Sequence, residues 1–201
     1  MSETIARLRI VLRYTDPPIW RRVEVPAECT LADLHTVIQA AMRWTNSHLY
    51  LYEVGRQSIG GPGLGEPGVD STRAPSARRV RVADLAENGV KRFRYVYDMG
   101  DSWEHDIRIE KVFPSESPAD YPRLVDGAMR APPDDCGGVP GFYGFLEAIG
   151  DPAHPEHVHW EEWYGGAFDA EDVEADEIQR DLARIAARRK HAARKRLAAA
   201  E

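Results

Sequence analysis

Between Tyr95 and Glu110 the chain reads Tyr-Val-Tyr-Asp-Met-Gly-Asp-Ser-Trp-Glu-His-Asp-Ile-Arg-Ile-Glu, its densest mixture of carboxylate, aromatic and imidazole groups. Asp98 and Asp101 bracket Met99-Gly100. Two carboxylates so close can hold a divalent cation, raise one another's pKa for acid–base work, or accept the amides of a tight turn. Period-two alternation puts His105 on the face of Trp103 and Ile107, with Tyr97 opposite the turn. That makes it either a hydrogen-bonded core histidine or a group aimed into a partly dry site. A second group is Asp134-Asp135-Cys136-Gly137-Gly138. Asp135 and Cys136 could line the same site, or the segment is a rigid connector with Cys136 as a small buried filler. The third is His154, His157 and His159, which would suit a transition metal if a carboxylate or Cys136 joined them. A helix opened by Pro155 would put His154 and His157 on one face and turn His159 away, so a packed or solvated surface set is preferred.

The elements that must position these groups follow from periodicity. Arg7 to Tyr14 alternates Leu8, Ile10, Leu12 and Tyr14 against Arg7, Arg9 and Arg13, a half-buried strand, and Ile19 to Val25 is its hairpin partner, stopped by Pro26. Thr30 with Asp33 makes a capping box, and Leu34, Val37, Ile38, Ala41 and Met42 form a helical stripe ending near Trp44. His48 to Val54 reads as a third strand. Residues 57–78, rich in Gly and Pro, read as a long mobile loop, and Arg79 to Leu85 as a short strand or turn of helix. Phe93 to Tyr97 and Trp103 to Ile109 form a hairpin closed at Met99-Gly100-Asp101, where glycine accepts a positive φ and aspartate accepts backbone hydrogen bonds. Pro114 to Asp126 reads as irregular. Phe142, Phe145, Leu146 and Ile149 make a helix ended by Gly150, and Val173 to about Leu197 another, packed through Ile178, Leu182 and Ile185.

At 201 residues, 43% hydrophobic and 29% charged, the chain suits one domain with a real core. No apolar run approaches a membrane span, and the start, Met-Ser-Glu-Thr-Ile-Ala-Arg, lacks a signal-peptide pattern, so a cytoplasmic location without membrane contact is expected. Cys29 and Cys136 are too few for a disulfide framework and lack zinc-finger spacing. Arg180 to Arg196 carries eight Lys and Arg against one acid, a local +7 against −7 overall, so the rest carries −14. An acidic body is expected to repel nucleic acid, leaving the basic tail as a weak phosphate contact.

Pro-Pro-Ile-Trp-Arg-Arg at 17–22, Thr-Leu-Ala-Asp-Leu-His at 30–35, Tyr-Asp-Met-Gly-Asp-Ser-Trp-Glu-His at 97–105, Asp-Cys-Gly-Gly at 135–138 and His-Pro-Glu-His at 154–157 together resemble the plasmid pRiA4b ORF-3-like family, up to about residue 185. The resemblance implies a compact bacterial or archaeal α+β domain, sometimes labelled resolvase-like through mobile elements, and no activity. Two positions depart from it: Ala131 stands where a cysteine is common, which weakens any thiolate-pair metal site, and Met99 where phenylalanine is common. A serine recombinase needs an activated serine and a helix-turn-helix, and neither is found here.

The expected fold is α+β, with a mixed, mostly antiparallel sheet, a β-grasp-like strand-strand-helix-strand start, packed helices and a long C-terminal helix. Residues 1–185 form the domain and 186–201 a basic helical extension. Two functions of different class follow. The preferred one is a non-enzymatic binding or interaction module with a protein partner, since no residue set completes a catalytic constellation. The alternative is a metal-dependent hydrolase or nuclease at the Tyr97–His105 hairpin, its candidate residues being Tyr97, Asp98, Asp101, Trp103, His105, Asp135 and Cys136. The residues name no cofactor.

Overall fold

The computed structural model describes residues 2–61, 76–116 and 118–199. Seven strands, β1 (Thr4–Leu12), β2 (Trp20–Pro26), β3 (Tyr50–Val54), β4 (Gln57–Gly60), β5 (Arg92–Tyr97), β6 (Trp103–Pro114) and β7 (Arg123–Ala128), form one sheet in the order β4-β3-β5-β6-β1-β2-β7. Every ladder between named strands is antiparallel, where a mixed sheet was expected. The β1–β2, β3–β4 and β5–β6 hairpins pair this way without a crossover helix. Five helices accompany it: α1 (Leu31–Met42), α2 (Val82–Glu87), α3 (Gly138–Gly150), α4 (His157–Tyr164) and α5 (Ala175–Ala198).

The alternation read from the sequence decides which face is covered. Leu8, Ile10 and Leu12 of β1, Tyr95 and Tyr97 of β5 and Trp103, His105 and Ile107 of β6 are buried in one core with Leu34, Val37 and Ile38 of α1, while Arg7 and Arg9 of β1, Arg92 of β5 and Arg108 of β6 point to the other face. The predicted capping box on α1 is present, Thr30 accepting from the Asp33 amide and Asp33 from the Thr30 amide. α1 ends where Arg43 turns left-handed (φ 60°).

Two segments differ from their sequence reading. Gln57–Gly60, placed in a mobile loop, is β4 and pairs with β3 through Tyr52 opposite Ile59; residues 62–75 of that loop lie outside the described residues. Arg123–Ala128, read as irregular, is β7 on the edge of the sheet against β2. It alternates poorly because an edge strand packed beside α5 has no fully solvated face.

Arg21 ties the far end together. Its side chain is wholly buried and donates to the carbonyls of Ala41, Trp20, Ala128 and Met129 at 2.8–3.1 Å, joining the C-terminus of α1 to β2 and to the end of β7. Burial lowers its pKa to about 10, against which the charge of Glu174 acts.

Candidate functional site

Asp98 ends β5 with a left-handed backbone (φ 55°), its amide donating to the Leu49 carbonyl and its Oδ1 accepting from the Gly100 amide at 2.8 Å. These bonds aim the second oxygen, Oδ2, away from the turn. Two other segments meet it there. Residues 45–48 leave α1 and are pinned by Asp134, whose Oδ2 accepts from the Thr45 amide (3.1 Å) and hydroxyl (2.6 Å). Tyr97 reinforces this anchor, its hydroxyl accepting from the Ser47 amide at 3.1 Å and lying 3.4 Å from Asp134 Oδ2. The third segment carries Asp135, also left-handed (φ 63°).

The result is a cluster at the rim. His48 Nε2 lies 2.7 Å from Asp135 Oδ1 and 3.6 Å from Asp98 Oδ2, and one donor atom from each residue falls within 4.8 Å of the others. Nε2 is itself shielded from water, and its 2.7 Å approach to Asp135 is an ion pair when the imidazole is protonated. Burial disfavours a charge on His48, but Asp98, Asp135 and Asp134 outweigh it and raise the imidazole pKa. One imidazole nitrogen and two carboxylate oxygens make a mixed donor set of the kind that zinc and other first-row ions accept. Ligands about 2.1 Å from a tetrahedral ion sit about 3.4 Å apart, the scale of the spacing seen here.

The other predicted residues play different parts. Asp101 turns its Oδ2 to the Gly137 amide (3.0 Å) and so locks the hairpin turn to the 134–138 loop. That joint is tight: a Cβ on Gly138, itself at φ +68°, would lie 2.5 Å from the Asp101 carbonyl oxygen. His105 does not reach the rim. It is a core histidine, wholly buried, with Trp44 edge-on at 5.3 Å and Tyr95 at 5.4 Å, and its Nδ1 donates to the Trp103 carbonyl at 3.0 Å. Burial lowers its pKa to about 3. Trp103 is equally buried. Cys136 faces the interior, where burial and then the charge of Asp101 push its thiol up to about 12, so it offers neither a nucleophile nor a ready thiolate ligand. The histidines of 154–159 stay apart from the rim: His157 Nδ1 meets the Ala148 carbonyl at 2.9 Å, and His154 Nδ1 accepts from the Glu156 amide.

Sequence reasoning thus missed His48, read only as the start of a strand, and Asp134 as the anchor. The signal lies in register. Tyr50 opposite Tyr97 brings Leu49 beside Asp98 and His48 to the turn, and no spacing within either segment states that pairing.

A polar cluster also lies inside. His35 Nε2 is 2.5 Å from Asn46 Oδ1, which requires the proton on Nε2, so Nδ1 accepts from the Tyr95 hydroxyl at 2.7 Å. Gln39 donates to the same hydroxyl and accepts from the Asn46 amide. Burial lowers the His35 pKa to about 4, despite the Asn46 contact.

With this geometry in view, comparison with known proteins is informative about kinship and silent about activity. The model of the family described as "Plasmid pRiA4b ORF-3-like protein" matches residues 4–177. Over 200 residues, 98% of this chain and all of the relative, the chain is 36% identical to "Uncharacterized protein y4hQ" of Sinorhizobium fredii (strain NBRC 101917 / NGR234). The fold is similar to the crystal structure of MM3350, a protein of unknown function from Methanosarcina mazei Go1, with a TM-score of 0.77 and 31% identity over 88% of this chain and 98% of that one.

Proposed function

The chain belongs to the plasmid pRiA4b ORF-3-like protein family, and from there we propose that it is a binding module whose hairpin rim takes a divalent transition-metal ion. The observation that carries this is the convergence of His48 Nε2, Asp98 Oδ2 and Asp135 Oδ1 within 4.8 Å of one another. The three donors come from three segments of the fold, so a bound ion would tie the β5–β6 turn, the 45–48 segment and the 134–138 loop together. We read the strand-strand-helix-strand start as β-grasp-like, and the functional reading rests on the site rather than on that likeness. Its groups suit binding better than chemistry, since His105 is locked in the core, Cys136 is held as a thiol and Asp101 is committed to Gly137. We place it in the cytoplasm, where two buried free cysteines stay reduced.

One feature favours the second reading, a metal-dependent hydrolase. Three protein ligands at a partly exposed rim leave coordination positions for water and substrate, as catalytic sites do.

Elemental mass spectrometry of the purified, tag-free protein tests the site, beside His48→Ala and Asp98→Asn, the latter chosen because asparagine tolerates a left-handed backbone. The expected result is near-stoichiometric zinc, manganese or iron after dialysis against those ions, lost in both variants. Wild-type protein that stays empty removes the proposal. Hydrolysis of a phosphodiester by the loaded protein, abolished by His48→Ala, would move the assignment from module to enzyme.

A further inference from the structure

The open face of the sheet carries a row of arginines that no sequence spacing announces. Arg92 of β5 is in register with Arg108 of β6, Arg108 with Arg9 of β1, and Arg9 with Arg22 of β2. Four guanidinium-bearing residues therefore stand side by side on four adjacent strands. Like charges directly opposite one another weaken a sheet, so the arrangement runs against stability and asks for a compensating anion. Within the protein the compensation is uneven. Arg22 is held by Glu110 in two hydrogen bonds (2.7 and 3.1 Å) and approached by Asp126 at 3.3 Å. For Arg9, Arg92 and Arg108 there is no carboxylate within ion-pair distance among the described residues, and Arg9 Nε is buried with no partner. Arg9, Arg92 and Arg108 line one cleft of about 460 Å³ on this face.

The two acids lining that cleft are already engaged, Glu53 with Arg94 at 3.1 Å and Asp106 with Arg13 at 3.5 Å. We infer that this cleft binds an organic phosphate of mononucleotide size, its phosphates on Arg92, Arg108 and Arg9 and its hydroxyl or amino groups toward Glu53 and Asp106. The volume falls in the range of small-ligand sites, and a planar guanidinium fork is the side chain that best matches phosphate oxygens. A polymer fits less well. Trp20, beside the row, has the guanidiniums of Arg9 and Arg22 over its ring at 4.5 and 5.2 Å, which removes it as a platform for a stacked base. A long phosphate chain laid along this face would pass Glu53 and Asp106 in the cleft and Asp126 beside Arg22, on a protein of net charge −7. The expectation that the acidic body repels nucleic acid over most of its surface leaves room for this cleft, because the net charge conceals a local surplus on one face.

The cleft shares no residue with the His48 rim, so the two proposals fail separately. The test is calorimetric titration of the full chain in EDTA with ATP, with sodium tripolyphosphate and with a 20-nucleotide single-stranded RNA. Saturable one-to-one binding of ATP is expected, weakened about tenfold or more by Arg9→Ala and by Arg108→Ala, the scale of one lost hydrogen bond to a charged group. Arg188→Ala, far along α5, should bind as wild type, and the melting temperature of Arg108→Ala should stay level or rise as a like-charged neighbour is removed. Absence of saturable ATP binding overturns the inference. Equal affinity in the cleft variants does so too, as does an RNA that binds tighter than ATP and displaces it, which would make the face a nucleic-acid surface.

Discussion

At the scale of single residues, burial separates the imidazoles: His48 meets carboxylates at the rim, while His105 and His35 are enclosed in the core. Asp98 and Asp135 stand at the rim, whereas His105 belongs to the core, and the deciding factor is depth, which alternation does not report. Period two assigns a face; only the covering helix decides whether that face is wet. The burial of His105 and His35 has a measurable consequence. Their folded-state pKa values, about 3 and about 4, lie below the ordinary 6.5, so the unfolded chain takes up protons first as pH falls. The stability that the two neutral imidazoles confer is complete above pH 6.5 and is lost on acidification toward pH 4 and then 3, at about 1.4 kcal/mol per pH unit for each. His48, with its pKa raised, acts in the opposite sense and gains stability on protonation. Urea unfolding of wild type and His105→Gln at pH 7, 6 and 5 isolates one contribution. The variant should lose stability less steeply, by about one proton's worth, and parallel slopes would contradict the assignment.

At the scale of elements, the strands of alternating sequence and the capped α1 were legible because periodicity and caps are local properties. β4 and β7 were not, since each sits at a sheet edge, where pairing with a neighbour rather than composition makes the strand. Arg21 shows how such edges are secured. It reaches carbonyls of α1, β2 and the segment after β7 at once, and a point charge on a flexible stem cannot replace a planar fork that serves several acceptors. Arg21→Met is expected to cost about 2–4 kcal/mol, with several buried carbonyls losing their donor and relief of the buried charge offsetting only part. Arg21→Lys should recover little of it. A lysine variant as stable as wild type in urea would show that charge, not the fork, matters there.

At the scale of the whole molecule, charge is divided among a rim bearing Asp98 and Asp135, an arginine-rich sheet face and a basic helix. Residues 186–198, the described helical part of the expected basic extension, continue α5 without a break, and Arg189 and Lys190 are ion-paired with Glu3 and Asp120. Ala186 is buried as well. The packed helix therefore reaches further than Ile185, because one-turn spacing lets basic residues on its inner side meet acids of the body. Truncation after Ile185 would remove these contacts together with the tail's charge. Truncation after His191 spares them, and it should change stability by less than about 0.5 kcal/mol, as surface changes do. The same cut should abolish any weak, salt-sensitive DNA binding carried by Arg194, Lys195 and Arg196. Filter binding at low and moderate salt measures this, and equal affinity in the truncated protein would exclude the tail as the contact.

The sequence by itself determined the α+β class, the hairpin at 97–105, the capped first helix and the long last one, together with the kinship carried by motifs in fixed order. These are properties of neighbours along the chain: a period, a cap, a turn. Tertiary structure alone decided that His48 joins Asp98 and Asp135, that His105 is sealed in the core, and that four arginines from four strands form one row. Each of these depends on register between segments tens of residues apart, and register is set by how the whole sheet buries one face, which no single segment encodes.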